Sequence, residues 1–290
     1  MTRTLIAPNR LTRGRARVAY GIVLVAIVVV CSLVFLGPLY WMVTGGLKTA
    51  QETAQTPPTW WPAHPDPGNY LTAWHQLSLA RLLANTVLYA GGALAFQLVF
   101  DVAAAYALSK LRPALGGLVL GMMLATLMIP AAVLIVPQYL TVADLPLAHL
   151  NLLNSPWAIW LPSVTNAFSV FLLKRFFDAI PADLLAAAAV DGAGPVRTLV
   201  SVVLPISRPV LGVVSIFAVT NVWKDFLWPL LVEPDPRRQT LNVGIWSLSA
   251  NVPQNILIAA LAVAAVPTVA IFLVFQRNIM AGLSAGSIKG

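Results

Sequence analysis

Charge is what this sequence has least of. Lys and Arg number 18 and Asp and Glu 10, so 10% of the 290 residues are charged against 59% hydrophobic, with a mean hydropathy of +0.81. A soluble domain carries ~25% charged residues, and a globule of this size could not cover itself with so few. A soluble cytoplasmic enzyme and a disordered chain are both excluded. Cysteine is nearly missing too. Cys31 stands alone, which excludes a disulfide scaffold, and it reads as a small apolar filler within a helix. Histidine is also scarce. His64, His75 and His149 belong to no His-Glu-x-x-His helix and no Cys/His cluster, so no metal site is expected. No Gly-x4-Gly-Lys-Ser/Thr phosphate loop and no Gly-x-Ser-x-Gly elbow occurs, so no catalytic residue and no bound cofactor is expected. Anything this chain moves uphill draws its energy from a partner subunit or an ion gradient.

What the sequence does have is long uncharged runs. A spanning helix needs ~20 mostly apolar residues. Trimmed at turn and polar signals, the runs give six expected spans: 18–43, 84–108, 115–140, 155–174, 204–230 and 255–276. A basic leader, residues 1–17, precedes the first with Arg3, Arg10, Arg13, Arg15 and Arg17. The run from Val18 to Trp41 is longer than the ~7–15 residues of a signal-peptide core and no small-x-small site closes it, so the span is expected to be retained. With both termini inside, the cytoplasmic side collects the leader arginines, Lys110, Arg112, Lys174, Arg175, Arg197, Arg208, Arg277 and Lys289. The outer loops keep Lys48, Arg81, Arg237 and Arg238, and this asymmetry sets the orientation. Anionic lipid and topological sorting account for the net charge of +8, and no nucleic acid partner is implied. The expected fold class is an all-α membrane protein of six transmembrane helices with cytoplasmic N- and C-termini.

The most informative segment lies between the fourth and fifth runs. Ile180-Pro181-Ala182-Asp183 opens a short helix, with Pro181 suited to a first helical position and Asp183 in the first turn. Ala186 to Ala189 have the strongest helix propensity and no bulk. Gly192 after Asp191 supplies the left-handed residue that ends such a helix, and Pro195 begins another. From the residues alone this is either a stiff knob for a groove in another protein or an interfacial helix joining two spans.

The segment resembles the cytoplasmic loop of ABC importer permeases, whose pattern is Glu-Ala-Ala-x-x-Asp-Gly-Ala followed downstream by Leu-Pro. Ala187, Ala188, Asp191, Gly192, Ala193, Leu204 and Pro205 stand at matching positions, while Ala186 replaces the usual glutamate. The chain is similar to the smaller permease subunit of maltose-type carbohydrate importers. Trp223-Lys224-Asp225-Phe226-Leu227-Trp228-Pro229-Leu230 resembles their Trp-Asn-x-Phe-x-x-Pro-Leu stretch, and Leu47-Lys48 and Asn69-Tyr70 fit their first outer loop. Phe275-Gln276-Arg277 and the ending from Ala281 to Gly290 are similar to their tail. The likeness runs from about residue 20 to the end.

This resemblance implies the type I ABC importer permease fold in a bacterial cell membrane. It implies a permease domain over 18–277 with a coupling loop at about 178–203, and a cytoplasmic tail over 278–290. The implied partners are a second permease subunit, a homodimeric ABC ATPase that holds ATP and Mg, an extracytoplasmic solute-binding protein and membrane lipid. The loop around Ala186–Gly192 would dock on the ATPase, and Gly282, Gly286, Lys289 and Gly290 of the tail would reach its dimer interface. With Ala186 in place of glutamate, an ionic contact there would be weakened, lost, or carried by Asp183 or Asp191.

Polar residues inside the apolar runs are costly and often functional. Gln97, Asp101, Asn166, Asn221, Trp223, Lys224, Asp225 and Trp228 are the pathway candidates. Amides and aromatic faces suit sugars, though Trp also serves as an interfacial belt residue. Asp101 lies ~24 Å along the helix from Asn85, at 1.5 Å per residue, and Lys224 approaches the opposite boundary, so the two are not expected to pair. Asp101 either lines the pathway or anchors packing. Gly117-x3-Gly121 invites a close helix neighbour, and Pro130, Pro137, Pro162, Pro229 and Pro267 offer kinks. An ion-coupled secondary transporter is the alternative reading, and a glycerophosphodiester is the alternative to a sugar.

Overall fold

Apolar runs divided by prolines should fold as helices with breaks, because the bilayer leaves no other way to satisfy backbone N–H and C=O groups short of a closed barrel. In the computed structural model residues 14–285 are described, with side chains for 18–273. Every regular element among them is helical, and the one pair of strand-like residues is an isolated bridge between Leu145 and Leu150. The helices run in order α1 (Gly14–Gly46), α2 (Ala50–Thr53), α3 (Gly68–Gln76), α4 (Leu79–Tyr106), α5 (Gly116–Thr126), α6 (Ala131–Ala143) and α7 (Trp157–Trp160). They continue as α8 (Ala167–Asp178), α9 (Ala182–Val190), α10 (Pro195–Thr198), α11 (Leu204–Ile206) and α12 (Arg208–Lys224). Then come α13 (Leu227–Val232), α14 (Leu241–Leu248) and α15 (Gln254–Ala285). Wider π turns extend α4 over Ala107–Leu111 and join α10 to α11 over Leu199–Val203.

Three stretches, Val18–Gly46, Leu79–Leu111 and Gln254–Leu273, are each long and apolar enough to cross a membrane. Two bent pairs raise the number to five if each counts as one crossing. α5 and α6 meet at 106° across the Leu127–Pro130 break, and the Pro195–Ile206 stretch meets α12 at 85°. Prolines explain both. Pro130 caps α6, and Pro205 and Pro209 remove two amide donors around Ser207. The expected 204–230 span therefore begins at Arg208 and stops at Lys224 before the short α13. The expected 155–174 span is divided between α7 and α8, with Pro162 in the gap.

The chain forms two compact units. One holds the described residues up to Ala73 with Asn251–Val263, and the other holds Trp74–Ala250 with the residues from Ala264. In the first, the apolar window of α1 has no buried residue, as expected of a helix that is hydrophobic all round. Asn69 organises the turn after it. Its Nδ2 donates to the carbonyls of Gly46 and Lys48 at 3.0 and 2.9 Å, and its Oδ1 accepts from Asn255 Nδ2 at 3.2 Å. Tyr70 donates to the Val43 carbonyl at 2.8 Å. The Leu47-Lys48 and Asn69-Tyr70 pairs thus meet in one hydrogen-bonded knot.

In the second unit α4 is the central rod, packed against α8 and α12. Toward its C-terminal end Val102, Ala105 and Tyr106 meet Leu173, Phe177, Val203 and Val214 in one apolar cluster. Toward its N-terminal end Tyr89, Ala90 and Ala93 meet Val142, Ile159, Val222 and Val232 in another. Gly117 and Gly121 have no neighbour within 4 Å where a Cβ would stand, so that pair brings no helix close among the described residues. The close approach falls at Gly92 instead, where an added Cβ would lie 2.2 Å from the indole Cε2 of Trp160. Trp160 is also anchored by its Nε1, which donates to the Tyr89 carbonyl at 3.2 Å.

Adjacent glycines should therefore answer oppositely to substitution. Gly91→Ala meets open space and gains ~1 kcal/mol of helix propensity. Gly92→Ala gains the same but overpacks against a fixed indole, at ~1–3 kcal/mol. Thermal unfolding of the detergent-solubilised chain is expected to show Gly91→Ala equal to or above the wild type and Gly92→Ala below it.

Candidate functional site

The segment between α8 and α12 folds as its residues dictate. Pro181 is the N-cap residue of α9, one position earlier than expected, and Asp183 lies in the first turn. Gly192 takes φ +73°, a conformation that costs a residue with a Cβ. Its N–H donates to the Ala189 carbonyl at 3.0 Å and that of Ala193 to the Ala188 carbonyl at 2.9 Å. These are the paired bonds of a Schellman ending, which use two carbonyls that the helix leaves free. Pro195 then starts α10 at its first position.

The segment is fastened at both ends to the C-terminal part of α4. Lys110 Nζ donates to the Ile180 carbonyl at 3.4 Å and Tyr106 Oη to the Pro195 carbonyl at 3.1 Å. Ser109 Oγ donates to Asp178 Oδ1 at 2.7 Å, and Lys174 Nζ pairs with Asp178 Oδ2 at 2.7 Å. Burial works against the Asp178 carboxylate, but the hydrogen bonds from Lys174 and Ser109 and the charges of Lys174 and Lys110 hold it below the usual carboxylate range. Ala188 is buried against the body, whereas Ala186, Ala187, Asp191 and Gly192 are exposed and Ala193 is half-buried. Leu204 is half-buried and Pro205 exposed. Leu184, Val190 and Val196 also face outward, with Val190 88% exposed. The exposed face is mostly apolar, with Asp183, Asp191 and Arg197 also outward.

The intramembrane candidates fall into two groups. Gln97, Asp101 and Asn166 come together. Asp101 is fully buried, and its Oδ1 accepts from Thr165 Oγ1 at 2.8 Å and from the Asn166 amide at 2.9 Å. Asn166 Oδ1 caps α8 by accepting from the Ser169 amide at 3.1 Å, and Gln97 Nε2 donates to Ser169 Oγ at 3.2 Å. Asp101 Oδ2 is left without a hydrogen-bond partner. The second group surrounds the break between α12 and α13. Asn221 and Lys224 are exposed, and Trp223 is buried with its carbonyl accepting from Asn242 Nδ2 at 3.0 Å. Asp225 Oδ1 accepts from the Trp228 amide at 3.5 Å, and Trp228 Nε1 donates to the Ala158 carbonyl at 3.0 Å. Neither Asp101 with Lys224 nor Lys224 with Asp225 forms a salt bridge among the described residues.

Thr165, Ser169, Tyr106 and Lys110 are site residues that sequence reasoning missed. Asn166 is an N-cap residue type ahead of an apolar stretch, a signal that could have located the break in the fourth run. Nothing in the sequence marks Tyr106 as a clasp, since its partner is a backbone carbonyl distant along the chain. Among the described residues no three His, Cys, Asp or Glu side chains converge as a metal set would. Of the tail candidates, Gly282 lies within α15. Gly286, Lys289 and Gly290 lie outside the described residues.

Three comparisons bear on this geometry. Residues 102–284 match the family described as binding-protein-dependent transport system inner membrane component. The chain is 34% identical over 257 residues to the sulfoquinovosyl glycerol transport system permease protein SmoH of Agrobacterium fabrum, covering 87% of this chain and 88% of that one. It is 29% identical to the diacetylchitobiose uptake system permease protein NgcG of Streptomyces coelicolor, over 91% of this chain and 87% of the relative. In fold it is similar to a chain of a crystal structure of a bacterial ABC transporter involved in the import of the acidic polysaccharide alginate. That likeness has a TM-score of 0.81 at 22% identity, over 91% of this chain and 98% of the other. The match reaches from the last turns of α4 through the fastened loop into α15, so the chain belongs to the binding-protein-dependent transport system inner membrane component family, as a membrane-embedded transport component and not an enzyme.

Proposed function

We propose that this chain is one of two permease subunits of an ATP-driven importer for a carbohydrate, working by alternating access in a bacterial cell membrane. An extracytoplasmic binding protein delivers the solute, and a homodimeric ABC ATPase with its own ATP and Mg supplies the work. The observation that carries the reading is the loop of residues 178–203, which presents a mostly apolar face while both its ends are hydrogen-bonded to α4. Force on α9 then reaches α4 and the helices packed on it as a rigid-body tilt, which is the two-state element that alternating access needs. The carbohydrate class rests on the relatives, whose names give sulfoquinovosyl glycerol and diacetylchitobiose as cargo.

The finer topology belongs to the same proposal. Six crossings are counted when the α7–α8 pair is added to the three long helices and two bent pairs. Within the second unit, Lys110, Arg112, Lys174, Arg175 and Arg197 gather around the C-terminal end of α4 and the fastened loop. That supports a cytoplasmic assignment for this end, with both termini inside. On this reading residues 18–277 form the permease domain and 278–290 a cytoplasmic tail that contacts the ATPase. The missing carboxylate at Ala186 shifts the anionic contact to Asp183 and Asp191, both exposed on the same loop.

Two outcomes are expected. Gly192→Val forces a β-branched residue into the left-handed turn, at ~1–3 kcal/mol of strain, and reshapes the docking face. In the assembled complex it is expected to lower binding-protein-stimulated ATPase activity at least about tenfold, a factor worth ~1.4 kcal/mol, and unchanged activity would remove this turn from the docking contact. Affinity purification of the chain in mild detergent is expected to bring down an ABC ATPase and a second multi-span permease. A lone chain that carries out proton-driven sugar uptake in liposomes would overturn the importer. A cognate binding protein that prefers glycerophosphodiesters over sugars would replace the cargo class alone.

A further inference from the structure

Glu233 follows directly on α13 and begins the segment that leads to α14. Its side chain is wholly buried, and neither carboxyl oxygen has a hydrogen-bond partner. A carboxylate so placed either takes up a proton or finds a cation. The cation that bears on it is Arg238, yet that guanidinium donates to the carbonyl of Asn154. Tyr89 of α4 also neighbours the carboxyl. Its one phenolic proton goes to the Arg238 carbonyl at 2.8 Å, so it can offer Glu233 only a lone pair, which suits a protonated acid. Asp235 adds a second negative charge nearby. α6 and α7, which also pack against α13, bring no charged side chain, and Tyr139 is the one titratable group between them. Burial pushes the Glu233 carboxyl up to about 7, with Arg238 opposing and Asp235 adding.

The surrounding segment is held by contacts that an opening would release together. Asn85 Nδ2 donates to the carbonyls of Arg237 and Gln239 at 2.9 and 3.0 Å. The Leu241 amide donates to Thr86 Oγ1 at 2.8 Å, and the Asp235 amide to Asn154 Oδ1 at 3.0 Å. The Arg238 hook on Asn154 clasps the segment to the loop before α7.

We propose that Glu233, Arg238 and Asn154 form a proton-operated latch on the Glu233–Leu241 segment. With Glu233 protonated, Arg238 stays on the Asn154 carbonyl and the segment is closed. Loss of that proton to solvent draws the guanidinium from Asn154 to the carboxylate, and the segment loosens. The direction follows from linkage. A carboxyl whose closed-state affinity for protons exceeds its ordinary one favours closure fully below its ordinary value of 4.5, and that favour is lost progressively as pH rises from there to about 7. That the latch sits at the extracytoplasmic mouth rests on the proposed topology; its existence does not.

The test is hydrogen exchange at the Asp235, Arg238 and Leu241 amides of the full-length chain in lipid nanodiscs, which requires neither ATPase nor binding protein. Rates are taken as the ratio of wild type to Glu233→Gln at each pH, so that intrinsic exchange chemistry cancels. The ratio is expected to climb with pH between the ordinary carboxyl value of 4.5 and about 7, by up to about tenfold per pH unit, the limit for one proton, and to level off above that. Glu233→Leu, equally uncharged and fully apolar, is expected to give the same ratio and stands in if the glutamine variant misfolds. Arg238→Gln removes the hook and is expected to exchange fast at both ends of the range. A ratio that stays flat, or an Arg238→Gln chain as protected as wild type at pH 5.5, overturns the latch while leaving the importer reading untouched.

Discussion

The hydrogen bonds from the Asn166 amide and the Thr165 hydroxyl to Asp101 are what allow the fourth apolar run to break. A backbone interruption at membrane depth strands amide donors in a medium without water. Here four of the donors have an address. Ser163 and Val164 turn back onto Trp160 and Leu161, Asn166 reaches Asp101, and Ser169 reaches the Asn166 side chain. A buried acid, costly in isolation, thus becomes the acceptor that two separate helices require.

Because Asp101 belongs to α4, the same helix that receives the break also carries the clasp on the 178–203 loop. Along one rod stand Asn85, Thr86 and Tyr89, then Gln97 and Asp101, then Tyr106, Ser109 and Lys110. From Asn85 to Lys110 is about 37 Å at 1.5 Å per residue, enough to span a bilayer. Each group bonds a different non-helical stretch: the 237–241 segment, the 161–166 break, and the two ends of the loop. Those three irregular stretches are all hydrogen-bonded to α4.

The loop itself was legible in the sequence because its structure is local. Gly192 ends a helix and Pro195 starts one for reasons confined to their own backbone. The Ala186–Ala189 run is helical by propensity, and even the error at Pro181 is a single position. The intramembrane residues were legible only as types. Thr165 and Asn166, the hydrogen-bond partners of Asp101, lie more than sixty residues onward. Gly117 and Gly121 had a recognised spacing and meet nothing, whereas Gly92 has none and lies against Trp160, since spacing says nothing about which helix arrives.

The sequence by itself determined that the chain is helical and enters a membrane, because hydropathy is a sum over the chain. Its short-range turns and caps were determined the same way, by forces acting over a few residues. The tertiary structure alone decided where long runs bend, which polar side chains meet, and which face of the alanine-rich helix is left uncovered. Those outcomes depend on groups far apart in sequence, and a buried donor or acid shows its role only when its partner is in place.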